Sequence, residues 1–225
     1  TGELKIDGGS ISKSKSTSIG FLNQDMLSYQ SEDSILSVAM EAFHEAQGVQ
    51  KKMDKVLHLM ETNYEDKLVD RLTKLQEQFE ALDGYTLQSK AEEVLEGIGF
   101  VTADLSRPLK EFSGGWRMRV ILAKLLLEKP ELLMLDEPTN HLGVEMIEWL
   151  EAYLTKSTMT LLMVTHDRYF LDRVCNHILE IENGQLYHHK GNYEYFLQKK
   201  TEREEVYAIE VAKAGKLAKK ELEWM

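Results

Sequence analysis

Leu132-Leu133-Met134-Leu135-Asp136-Glu137-Pro138-Thr139-Asn140-His141-Leu142 sets four apolar residues in a row directly before two carboxylates and a proline-marked turn. A short unbroken apolar run bounded by turn residues reads as a strand buried on both faces, the kind found in parallel sheets covered by helices. In open α/β sheets ligands bind beyond the carboxyl ends of the strands, so this strand would deliver Asp136 and Glu137 to that rim. Asp136 is then placed to orient Mg²⁺, directly or through water, and Glu137 to polarise a water attacking a γ-phosphate. An Asp-Glu pair alone would equally suit an ordinary acidic turn, and the flanking strings decide between the two.

Upstream, Phe112-Ser113-Gly114-Gly115-Trp116-Arg117-Met118-Arg119-Val120 opens a helix that leads towards the strand. Glycines at a helix start let backbone N–H groups approach an anion closely, Ser113 adds a hydroxyl donor, and the helix dipole favours negative charge there. Standing alone, Ser-Gly-Gly would be only a cap and a turn. Downstream, Val164-Thr165-His166-Asp167-Arg168-Tyr169 puts a histidine at the end of the next apolar strand, where a neutral imidazole can bridge a γ-phosphate and the water near Glu137. A lone histidine is usually structural; the order of the three strings gives this one a chemical role.

The rest of the chain supplies a frame for them. Residues 3–25 read as short strands and turns: Glu3 to Ile6, a Gly8-Gly9 turn, then Ser18 to Leu22. From Ser34 to Gly97 the pattern is helical, with Leu75, Phe79 and Leu82 at helical spacing, and marks a helical insert. Beyond it the spacing predicts a helix over Gly115 to Leu127 closed by Pro130, a strand over Leu132 to Leu135 and a helix over Val144 to Leu154. A strand over Thr160 to Val164, a short helix near Tyr169 and a strand over His177 to Ile181 follow. Such alternation implies parallel strands with helical crossovers. Asn183-Gly184 between two β-like runs predicts a type I′ hairpin that adds an antiparallel edge. After Gly191 one charged helix runs to Met225, interrupted in propensity only by Gly215.

Composition narrows the function classes. The chain has 225 residues, 43% of them hydrophobic, enough for one α/β domain with a helical attachment. A formal net charge of -11 excludes a surface that wraps nucleic acid as a whole, which needs clustered Lys and Arg. Cys175 stands alone and fits a reducing cytoplasm. No run approaches the roughly 20 apolar residues of a membrane span. Thr1-Gly2-Glu3-Leu4 lacks the basic start and apolar segment of a signal peptide, and the chain is expected to begin in mid-domain.

Together with Ile19-Gly20-Phe21-Leu22-Asn23-Gln24, the three strings resemble the signature, Walker B, H-loop and Q-loop of ABC ATPases. Trp116-Arg117-Met118-Arg119 after Ser-Gly-Gly, Asn140-His141-Leu142 after the carboxylates and the helical insert resemble the ABC-F branch. The run Tyr187 to Lys200 resembles the exit from a first ABC domain into an inter-domain linker. The resemblance implies a P-loop NTPase-like α/β domain over residues 1–190, N-terminally truncated, with an arm insert over about 34–97, a signature-to-H-loop part over about 111–182 and a linker helix over 191–225. It implies ATP and Mg²⁺ as ligands, with Gln24 reaching Mg²⁺ and the attacking water beside Asp136, Glu137 and His166. Ser113, Gly114 and Gly115 would serve the γ-phosphate of a nucleotide held by a second ABC domain of the same polypeptide. The four groups Gln24, Asp136, Glu137 and His166 are expected on one rim and the Ser-Gly-Gly turn on a separate edge. The partner implied is the ribosome, met as rRNA and tRNA through linker and arm, in the cytoplasm.

Two departures qualify the match. Gly143 stands where the family commonly has Asp, and Gly cannot accept the same hydrogen bonds. No Gly-x4-Gly-Lys-Ser/Thr string, the Walker A loop that cradles β- and γ-phosphates, occurs in the 225 residues. Gly9-Ser10-Ile11-Ser12-Lys13-Ser14-Lys15-Ser16 has the spacing with Ser14 for the second Gly, but leads into a strand with no room for the helix that must face the phosphates. Two other readings stay open: the cytoplasmic ATP-binding subunit of a membrane transporter, and a non-catalytic module that works through its arm and linker helices.

Overall fold

The computed structural model describes residues 7–22, 30–63, 65–140 and 142–223. The chain packs as two compact units, Thr1–Thr165 and His166–Met225.

In the first unit, strands β1 (Ile19–Leu22), β2 (Leu132–Asp136) and β3 (Thr160–Val164) form a parallel sheet in the order β1-β2-β3. The register sets Leu22 beside Leu135 and Asp136 beside Val164. The crossover between β2 and β3 is helix α6 (Val144–Lys156). Between β1 and β2 come five α-helices: α1 (Ile35–Met40), α2 (His44–Thr62), α3 (Asp66–Ala81), α4 (Leu87–Gly97) and α5 (Gly114–Glu128). Residues 7–18 hold only bends and turns, and the Lys13 to Ser16 stretch runs on to β1 with no helix between.

Local chemistry sets most of these boundaries. The Ser34 side chain accepts the Ser37 N–H at 3.1 Å and starts α1. α5 stops where Lys129 turns left-handed, φ 46°, and Pro130 follows. The apolar residues of α2 recur at Ala46, Val49, Met53 and Val56 and pack on Leu75, Phe79 and Leu87, so the helical insert has a core of its own. A second core under the sheet joins Leu22, Leu133 and Leu135 with Val120, Leu122 and Leu126 of α5 and Leu150 of α6, all at most 2% exposed.

In the second unit, helix α7 (Arg168–Val174) is capped by Asp167, whose side chain accepts the Phe170 N–H at 3.0 Å. Strands β4 (His177–Glu182) and β5 (Gln185–Lys190) pair antiparallel around Asn183, φ 50°, and Gly184, φ 75°, as a type I′ turn demands. Among the described residues they pair with each other as a two-stranded sheet. Helix α8 (Tyr193–Glu223) runs through Gly215 without a break. Glu180, Glu182 and His189 face it, with Glu180 bonded to Lys200 at 2.7 Å and to Arg203 at 2.8 Å. Among the described residues no helix is long and apolar enough to cross a membrane.

Candidate functional site at the end of the central strand

β2 is the middle strand, and its last residue is Asp136, half-buried at the carboxyl end of the sheet. The chain then bends sharply. Glu137 takes φ 49°, in the left-handed region, which costs a residue with a side chain about 1–2 kcal/mol. Three contacts hold it there. Its N–H donates to the Val164 carbonyl at 2.8 Å, and its own carbonyl accepts the Asn140 N–H at 3.1 Å. Thr165 Oγ1 donates to Glu137 Oε2 at 3.3 Å and lies 3.5 Å from Thr139 Oγ1, a hydroxyl pair that orients the carboxylate. Strain of this kind persists where surroundings over-determine it, and it concentrates at functional sites.

The turn forms one wall of a cavity of about 140 Å³, with Asp136, Glu137, Asn140 and Leu142 on one side and Gly115 and Arg119 of α5 on the other. Ser113 is exposed and extended at the N-cap, φ -64° and ψ 163°, but its hydroxyl caps nothing in its own helix. The first-turn amides of α5 are thereby left for another acceptor. Gly115 lines the cavity together with the carboxylates, while Ser113 and Gly114 are not among its lining residues. The cause is topological: α5 runs back along β2, so the first turn of the helix returns to the carboxyl end of the strand.

The remaining candidates lie as follows. Gln24 and His141 fall outside the described residues. His166 comes two residues after the end of β3, opens the second unit and precedes the Asp167 cap. Gly143 is the N-cap of α6 and acts through its backbone alone, its carbonyl accepting the Met146 and Ile147 N–H groups at 3.0 Å each.

Two residues that matter here had no assigned role in the sequence reading. Thr165 orients Glu137, and the parallel register, which brings the residue after Val164 beside the residue after Asp136, is the signal that could have found it. Arg119 brings the cation of the cavity wall; burial lowers its pKa, yet a guanidinium remains charged. The donor set suits a hard cation such as Mg²⁺: Asp136 and Glu137 offer carboxylate oxygens. No group of three His, Cys, Asp or Glu forms a metal cage among the described residues, so phosphate and water oxygens would complete the shell.

Residues 1–140 match the family described as ABC transporter, and residues 179–225 match a second family of the same description. The energy-dependent translational throttle protein EttA of Mycobacterium tuberculosis is 43% identical over 77% of this chain and 31% of its own length. The uncharacterised ABC transporter ATP-binding protein YfmR of Bacillus subtilis is 38% identical over 98% of this chain and 35% of its own. ABC transporter F family member 5 of Arabidopsis thaliana is 36% identical over 90% and 30%. The chain thus spans about a third of the length of these relatives.

Proposed function

Because the chain belongs to the ABC transporter family, on its ABC-F branch, we propose that it is part of a tandem ATPase that binds and hydrolyses ATP with Mg²⁺ and acts on the ribosome. The observation that carries the chemistry is the left-handed Glu137 at the end of β2, oriented by Thr165 beside Asp136. In this reading Asp136 holds Mg²⁺, whose charge offsets that developing on the phosphates. Glu137 accepts the proton of the attacking water, and Gln24 and His166 complete the site. Ser113, Gly114 and Gly115 serve a nucleotide held by a second ABC domain. Residues 1–190 form the cassette and 191–225 begin a linker directed at rRNA and tRNA. The name of the throttle protein supports a role in translation, and the cytoplasm is the compartment that fits.

The test uses the whole protein. Glu137→Gln should lower ATP turnover by about 10²–10⁴-fold, the usual contribution of a general base, while ATP binding persists. The 225-residue chain alone, with no Gly-x4-Gly-Lys-Ser/Thr string, should turn over no ATP; measurable turnover abolished by Glu137→Gln would refute the division of the site between domains. Co-sedimentation with ribosomes is expected. Pelleting with membranes instead would favour the subunit of a transporter.

A further inference from the structure

Arg119 sits where three helices meet. Its Nη1 donates to the Ile98 carbonyl at 3.4 Å, just past the end of α4, and points at Met146 Sδ, 3.1 Å away in the first turn of α6. Its guanidinium carbon lies 4.1 Å over the Trp116 ring in the first turn of α5. From Trp116 the contact continues edge-on to Phe100 at 5.0 Å and from Phe100 to Phe112 at 5.6 Å, the residue before Ser113.

The joint has little slack. A Cβ on Gly97 would lie 2.0 Å from Trp149 Cε2, and one on Gly99, φ +100°, 2.8 Å from Met146 Sδ and 3.2 Å from Arg119 Nη1. The segment leaving α4 therefore lies directly on α6 and on the guanidinium. At the start of α6, Gly143 has no side chain with which to cap the helix, and Arg119 contacts the first turn at Met146.

We propose that Arg119 is a positioning residue that fastens the Ser113–Gly115 turn to the segment leaving β2, so that the two walls of the cavity shift together. Only the catalytic meaning of this joint rests on the nucleotide reading above; the coupling is a property of the chain itself. A shift of Met146 moves Arg119, Arg119 moves Trp116, and Trp116 with Phe100 and Phe112 carries the shift to Ser113.

Hydrogen exchange of the 225-residue chain without nucleotide tests this through a double-mutant cycle. Met146→Ala should change exchange at the Arg117 and Met118 amides about five-fold or more when Arg119 is present, and less than about two-fold in an Arg119→Met background. Amides of α2 and α3 should not respond in either. Arg119→Lys keeps a cation but loses the planar guanidinium that lies over Trp116, so it should give an intermediate response, and it replaces Arg119→Met if that variant does not fold. An equal Met146→Ala effect in both backgrounds, or exchange that rises uniformly through the first unit on substitution of Arg119, would overturn the proposal. Failure here leaves the ATPase experiment unaffected, and the converse also holds.

Discussion

Replacing Glu180 by Ala should release the hairpin from the base of α8. The Glu180 side chain is 9% exposed and meets Lys200 Nζ at 2.7 Å, Arg203 Nη2 at 2.8 Å and His189 Nε2 at 3.5 Å. Breaking a fully buried ion pair costs about 3–5 kcal/mol, and losing one hydrogen bond to a charged group about 1.5–3 kcal/mol. Lys200 and Arg203 are 32% and 28% exposed and retain Glu182, so they can rehydrate. The cost should therefore fall to about 2 kcal/mol, or roughly 30-fold in an opening equilibrium. Exchange of the β4 and β5 amides should accelerate by that factor while the α2 and α3 core stays unchanged. An acceleration below about three-fold would refute the claim that this carboxylate fastens helix to hairpin. Burial pushes the Glu180 carboxyl up, but hydrogen bonds from Lys200 and Arg203, with their charges, outweigh it and hold the pKa below the ordinary value. Its contribution is therefore full above the unfolded value of about 4.3 and is lost as pH falls through the lower folded value. Hairpin exchange should accelerate as pH falls below that unfolded value and through the lower folded one.

Four further outcomes are expected. Leu133→Ala, at a fully buried position in the central strand, should lower the stability of the first unit by about 3 kcal/mol, read as a lower urea midpoint for that unit. Gly97→Ala places a Cβ against the Trp149 ring and should cost about 1–3 kcal/mol. Gly48→Ala, in α2 where a Cβ meets nothing within 4 Å, should instead stabilise by about 0.5–1 kcal/mol, and thermal melts of the two variants should move in opposite directions. Burial pushes the Cys175 thiol up, so its reaction with a soluble aromatic disulfide at pH 8 should be slower than that of a free cysteine and rise steeply with pH; equal rates would contradict its burial.

Where local chemistry decides, the sequence was legible. The apolar run before Asp136 is a strand, Pro130 and a left-handed Lys129 end α5, and Asn183-Gly184 turns the hairpin. Ends shifted by one or two residues because hydrogen bonding outlasts hydrophobic periodicity: β2 includes Asp136, α5 includes Glu128 and α6 runs to Lys156. Neighbourhood was less legible. Periodicity carries no record of which strands pair, so the order β1-β2-β3 could not be read from it. The role of Thr165 depends on register, and that of Arg119 on three helix ends meeting. The place of Gly115 follows from the antiparallel return of α5, visible only once α5 and β2 are laid side by side.

Among the described residues, the contacts of helix α8 with the rest of its unit gather in its first turns. Phe196 is buried, Lys200 and Arg203 are tied to the hairpin, and the next turns expose Val206, Tyr207, Ile209 and Val211 on every side. From Glu204 to Glu223 the rod extends about 30 Å beyond its last tether, at 1.5 Å per residue. A tilt of about 5° at the Glu180 clamp would sweep its far end through roughly 2.5 Å over that length. Small rearrangements at two cations and a carboxylate are thus geared up into displacements as large as an atom's diameter, far from where they begin.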